Sequence, residues 1–483
     1  MRIVIIHLML IFMVSGWNIA VYGQVDSLGR YLEIAGQNNP AVKAAFHTYE
    51  AALQKIPQMG ALEDPRLDMG FFLQPMEIVS GRQIAQIQLM QMFPWFGVRK
   101  AARTEAQHMA QMAFEAFRET RDNLYLEVYT QWYILCGLVQ KQNNNDENKK
   151  LLYQLETLAL QRFSSGTGYK GTVSGAPEPV SKNAPAMNNM SNMNSMPGMN
   201  KTGGSPANSN SQSNNQGGSM GMDMNNTASG MSEVLRIQME KVELESNIES
   251  VRSEIAAGKI RFNALLNRPP ESEVVLPDEL SQIPFSFDIE AILSMITEQN
   301  PMLGMVREET LAYAARLEME KKMAYPMFGI GLQYMLIEKK TENSHEADGS
   351  MKNMNGKDML MPMVSVSIPI YRNKYKAAQK ENVLLQQAGE EKYADTFNRL
   401  RAELYQFKFQ LDDAERKIML YRQQTALIRS IYELKLSEFL TGKSDLGAVI
   451  QIQRQLLDYQ LKESDATVDY NTLVANIMKV ISN

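Results

Sequence analysis

The chain changes hydrophobic period in a fixed order. Phe328, Ile330, Leu332, Tyr334 and Leu336 alternate with Gly329, Gly331, Gln333 and Met335, which predicts a strand with one apolar face and one small or polar face. Val364, Val366 and Ile368 alternate in the same way with Met363, Ser365 and Ser367. A less regular pair lies near Leu67 to Gln74 and Arg82 to Met92. After Pro94 and Pro369 the period becomes helical, since proline fits a first helical turn where its missing N–H needs no partner. Phe397, Leu400, Leu404, Phe407, Leu411, Ala414, Ile418, Tyr421, Thr425 and Ile428 step by three and four, as in a coiled-coil seam. Phe114, Phe117, Arg121, Leu124, Val128, Gln131, Leu135 and Leu138 step alike, with two polar interruptions. A helix over 99–164 would be about 100 Å long.

These blocks form a duplication. "GQNNPAVKAAF" from Gly36 matches "TEQNPMLGMVREE" from Thr297, and Pro40 and Pro301 are 261 positions apart, as are Pro65 and Pro326. "MFPWFGVRKAA" matches "SIPIYRNKYKAA", and Glu127 pairs with Glu403 further on. Four matches in one order imply a repeat. The first repeat covers 24–266, with a strand pair about 67–92 and helices about 97–164 and 232–266. The second covers 289–483, with a strand pair about 327–368 and helices about 370–440 and 444–481. The Pro-rich stretch 267–288 joins them.

Four strands of this length suit tilted membrane strands of ~9–11 residues but cannot close a barrel, which needs about eight. An open edge in lipid leaves backbone groups unpaired, so several copies must pool strands. Phe93, Trp95 and Phe96, mirrored by Tyr371 and Tyr375, fall where strands give way to helices, the place of an interfacial aromatic girdle. Residues 1–23 have one arginine and an apolar run from Ile3 to Val14, the layout of a secretory signal peptide. The fold expected is therefore α+β and membrane-bound. The 49 Lys and Arg against 54 Asp and Glu give no basic field for nucleic acid. A single cysteine, Cys136, excludes a disulfide framework and a thiolate zinc site; it suits a buried small residue in the long helix. No nucleotide-loop, zinc-protease or serine-hydrolase motif marks an enzyme.

The order "NNP", "DP", strand pair, "FPWFG", long helix, "RFSSG", "SEVLRIQME", "RFNALLN", and then "QNP", "SIPIY" and "FLTGKSDLGAVIQIQRQLLD", resembles the TolC-like outer membrane efflux factors, their heavy-metal branch in particular. The resemblance implies a homotrimer whose twelve-stranded outer membrane β-barrel continues into a long periplasmic α-helical barrel. It implies partners, a periplasmic adaptor and an inner-membrane proton-driven pump, and no catalysis. Its adaptor-docking tips would match Arg162 and Gly166 leading into Gly230 and Glu233, and Gly442 with Asp445. Where relatives narrow the inner tip with acidic residues, this chain has "AVIQIQ", so Ala448 and Gln451 stand in the acidic places and Asp445 is the nearest carboxylate. The lipidated N-terminal cysteine common in the copper branch is absent here.

The first tip is interrupted by 167–231, rich in Met, Asn, Gly and Ser, with only Tyr169, Val173 and Val180 as aromatic or branched aliphatic residues. Such a segment buries too little to offset its ordering entropy, which predicts disorder. Met187, Met190, Met193, Met196, Met199, Met220, Met222 and Met224 offer thioethers, soft ligands suited to Cu(I) and Ag(I). Transient capture of such an ion and an inert spacer are both compatible with the composition; clustering where nothing packs favours capture. No cofactor is required. Three functions stay open: a passive duct for Cu(I) or Ag(I), a drug or organic-acid duct of the same fold, and an adaptor or soluble Met-rich copper-binding protein. The duplicated strand pairs argue against an adaptor, and recovery in the periplasmic wash rather than the outer membrane would favour the soluble protein.

Overall fold

The structure is a computed structural model describing residues 28–78, 80–164, 225–277, 279–339 and 356–482, with side chains of the helical residues 162–164 and 225–231 left out. The order of elements is α1 (Leu28–Asn38), α2 (Pro40–Gly60), β1 (Arg66–Ile78), β2 (Gly81–Phe93), α3 (Val98–Ser164), α4 (Asn225–Leu265), α5 (Ile289–Gln299), α6 (Pro301–Met323), β3 (Met327–Glu338), β4 (Met359–Ser367), α7 (Arg372–Leu440) and α8 (Leu446–Ile481). Two short helices, two strands and two longer helices thus occur twice. The insert assigned from sequence to 167–231 lies outside the described residues except 225–231, which are helical and open α4. That is a correction to the expected start at 232. "NNTASGM" contains weak helix formers, but an established helix extends at the cost of one residue per added hydrogen bond.

Cα packing divides the described residues into two units, one within Met1–Glu147, Ser246–Arg429 and Gln455–Asn483, the other within Asn148–Glu245 and Ser430–Arg454. In the first unit the seam residues of α7, Leu400, Leu404, Leu411, Ala414 and Ile418, are buried with Ile292, Ile296 and Leu303 and with Tyr470, Val474 and Ile477 of α8. A second cluster gathers Tyr31, Val42, Leu124, Val128, Leu135 and Phe262, with Tyr31 edge-on to Phe262 at 5.2 Å. Gln131, one of the polar interruptions in α3, is buried and donates to the Gly258 carbonyl at 3.4 Å. A Cβ on Gly258 would lie 2.7 Å from Leu135, so α4 approaches this closely because that position has no side chain.

The repeated "NP" has one physical role in both places. Asn39 and Asn300 cap α2 and α6, their Oδ1 atoms accepting from Ala41 N at 2.9 Å and from Met302 N at 3.0 Å, with proline in the first turn. The other end of each amide donates to a returning helix: Asn39 Nδ2 to Leu265 O at 2.9 Å, and Asn300 Nδ2 to Val480 O at 2.8 Å. The Pro-rich connector is pinned by side chains, Asn263 donating to Pro270 O and Ser272 O, and Asn471 exchanging hydrogen bonds with Ser281 and Ile283.

In the second unit Leu152, Leu155, Val234, Ile237, Phe439, Leu446 and Val449 are buried. Buried Gln453 donates to Asn148 Oδ1 at 2.9 Å. Lys241 pairs with Glu156 at 2.8 Å and lies 3.8 Å above the Tyr153 ring, and Arg454 clamps Glu240 with two hydrogen bonds.

Candidate functional site

The four strands form one antiparallel sheet in the order β1-β2-β3-β4. Residues paired across strands share a face. Leu67 and Met69 pair with Leu89 and Ile87; these pair with Leu332 and Tyr334, which pair with Pro362 and Leu360. Phe328 and Ile330 likewise face Val366 and Val364. One face is therefore apolar across all four strands, and it is uncovered: Phe71 and Val364 are each 78% exposed. The opposite face carries Gln86, Gln88, Gln333, Ser365 and Ser367 among glycines and methionines, and Gln333 Nε2 donates to Gln86 Oε1 at 3.0 Å. A face of apolar side chains turned outward would cost tens of kcal/mol in water across this many residues at ~25 cal/mol per Å², but not in lipid. β1 and β4 are hydrogen-bonded on one side only among the described residues, so both outer edges present unpaired backbone groups.

At the helix end of the sheet, Trp95 stacks on Tyr325 with centroids 5.2 Å apart and lies 5.8 Å from Phe328. Phe96 is 85% and Tyr371 76% exposed, whereas Phe93 and Tyr375 are half-buried. Leu62, Phe93, Trp95, Phe96, Phe328 and Ile330 line an apolar groove of about 620 Å³ here. The five aromatics predicted as a girdle thus flank the strand ends, and Tyr325, which sequence reading passed over, completes the stack. Its signal was its position just before Pro326, three residues from Phe328, the first strand residue of the apolar face.

The turn between α7 and α8 is built by its own sequence, "FLTGKSDL". Gly442, at φ +80°, ends α7, with Lys443 N donating to Glu438 O at 2.9 Å and Gly442 N to Phe439 O at 3.1 Å. Asp445 starts α8 by accepting from Ala448 N at 2.8 Å. Asp445 and Gln451 are exposed and Ala448 half-buried, so the one carboxylate of the predicted constriction is engaged as a cap. At the other tip Arg162 lies in the last turn of α3 and Gly230 lies within α4, with half-buried Glu233 about one turn further on; Gly166 is outside the described residues. The eight insert methionines, Met187 to Met224, also lie outside them.

The remaining candidates are structural. Cys136 is buried, and burial pushes its thiol up to about 12. His47 and His108 each sit against a glutamate, Glu50 at 2.9 Å and Glu308 at 2.8 Å. Glu127 and Glu403 are exposed. Among the described residues no three His, Cys, Asp or Glu side chains gather to hold a metal, and no helix is long and apolar enough to cross a membrane.

No protein-family model and no curated protein matches the chain. Solved structures do. CusC, described for its folding and transmembrane channel formation, matches with a TM-score of 0.65 over 97% of this chain and 95% of its own, at 11% identity. The outer-membrane channel OprN matches at 0.64, over 94% and 89%, with 12% identity. The outer membrane protein VceC of Vibrio cholerae matches at 0.64, over 94% and 96%, also with 12% identity. The chain has the fold of outer membrane channels, the class that its motifs resemble.

Proposed function

We propose that this chain is the outer membrane channel of a tripartite efflux system. Three copies pool their strands into a twelve-stranded barrel, and their long helices form a duct across the periplasm. A periplasmic adaptor docks at the helix turns, at Gly442 and Asp445 and at Arg162, Gly166, Gly230 and Glu233, and a proton-driven inner-membrane pump delivers the cargo. The channel itself conducts passively, without catalysis or a resident cofactor. The observation that carries this reading is the sheet: four strands with an uncovered apolar face and two edges unpaired among the described residues need both lipid and neighbouring strands. At the predicted constriction Asp445 accepts from Ala448 N at the start of α8 and is exposed, while Ala448 and Gln451 carry no charge. We assign Cu(I) or Ag(I) as the cargo, on the resemblance to the heavy-metal branch and on the thioether-rich insert.

The test is reconstitution. The purified mature protein, added to a planar bilayer, should produce stepwise ion conductance. A preparation that extracts into buffer without detergent and conducts nothing would contradict the reading. Deleting 167–224, which spares the helical residues 225–231, should leave assembly and conductance intact while lowering copper tolerance of cells carrying the channel. Unchanged tolerance would make the insert a spacer.

A further inference from the structure

The second face of the sheet carries sulfur in a pattern that the apolar count of the sequence conceals. Met90 and Met92 of β2 and Met359, Met361 and Met363 of β4 all point to the face opposite Leu332 and Val364, as does Met335 of β3. Between Met92 and Ser365 in the register lies Gly329, and between Met90 and Met363 lies Gly331. For two successive rows, then, the middle strand contributes no side chain, and groups from its neighbours reach over it. A Cβ on Gly329 would lie 2.6 Å from Met92 Sδ and 3.3 Å from Met90 Sδ; one on Gly331 would lie 3.1 Å from Met90 Sδ. Ser365 Oγ stands 3.6 Å from both sulfurs. Two thioethers and a hydroxyl thus converge over a glycine floor, with Met363 directly across it from Met90.

Packing does not account for this convergence. Methionine fills irregular gaps inside cores, but Met90, Met92 and Met363 are half-buried on the open face of a sheet, and Met359 and Met361 beside them are exposed. Neutral thioethers are poor ligands for Na⁺, Mg²⁺ or Ca²⁺ and good ones for Cu(I) and Ag(I). We infer that the Gly329–Gly331 floor is a binding site for a soft monovalent cation, Cu(I) or Ag(I), held by Met90 and Met92 with Met363 as third donor. Uncharged donors suit a conduit, where a site must hold an ion strongly enough to admit it and weakly enough to release it. Access of cargo to the site rests on the channel reading, which turns the apolar face to lipid and this face to the lumen; the ligand set does not.

The experiment uses the full chain in detergent micelles, labelled with [ε-¹³C]methionine and titrated with silver nitrate, since Ag(I) brings no redox chemistry. Met90→Leu, Met92→Leu and Met363→Leu assign the three signals by loss. Stoichiometric Ag(I) should shift Met90 and Met92 together and Met363 with them, and the Met90→Leu/Met92→Leu double variant should bind one Ag(I) fewer per chain. Gly329→Ala removes no sulfur but fills the floor, and should abolish the shift at Met90 and Met92. Signals of Met90 and Met92 that stay still while other methionines respond, or a double variant that binds as much Ag(I) as the parent, would overturn the site. A chain that shows these shifts but no bilayer conductance keeps the site and removes the channel reading; conductance with silent Met90 and Met92 signals does the reverse.

Discussion

At the residue scale, the most informative side chains are the two that repeat. Asn39 and Asn300 each satisfy a helix N-terminus and a carbonyl of the returning helix, so alanine there removes a cap and orphans a carbonyl at once. Asn300→Ala should cost about 2–4 kcal/mol and Asn300→Ser less, because the serine hydroxyl keeps the cap and only the donor to the Val480 carbonyl is lost. Denaturant midpoints of the folded protein would show the ranking, and equal losses for Ala and Ser would refute it. Cys136 provides a second check. A thiol held near 12 and buried in α3 should react with a maleimide at pH 8 roughly a hundredfold or more slower than a free cysteine, and at the ordinary rate once the protein unfolds. Glu105 gives a pH dependence. Burial raises its carboxyl above the usual range, beyond what Arg316 restores, with Glu320 adding to the rise. A raised native value contributes stability at low pH that is lost as pH rises through it. Glu105→Gln should therefore stabilise the protein at pH 7 and leave it unchanged below pH ~4; a gain of equal size at both pH values would exclude this cause.

At the element scale, the two faces of the sheet make opposite predictions. In the proposed barrel a lysine on the lipid-facing side near mid-strand costs about 2–4 kcal/mol, and on the lumen-facing side little. Val364→Lys should thus reduce the folded, outer-membrane-inserted fraction, read as the heat-modifiable gel band, whereas Gln88→Lys should not. Much of this level was readable beforehand, because strand alternation and the three-four seam are local periods: Leu400, Leu404, Leu411 and Ile418, picked out by spacing, are buried in the structure. β1 was blurred for a physical reason, since Pro75 and a register shift between Phe71 and Met76 break its period. The sulfur face was missed because methionine counts as apolar on either side of a strand, and only pairing with Gly329 and Gly331 reveals which side it takes. The start of α4 was placed late because 225–231 has no apolar period of its own.

At the scale of the whole molecule, the account depends on edges. The sheet ends at β1 and β4, and neither edge is paired within the chain among the described residues. The most direct measurement is the mass of the detergent-extracted, folded complex by native mass spectrometry. The account predicts three chains per particle, dissociating to single chains only on heating. A particle of one chain, stable and soluble without detergent, would contradict it.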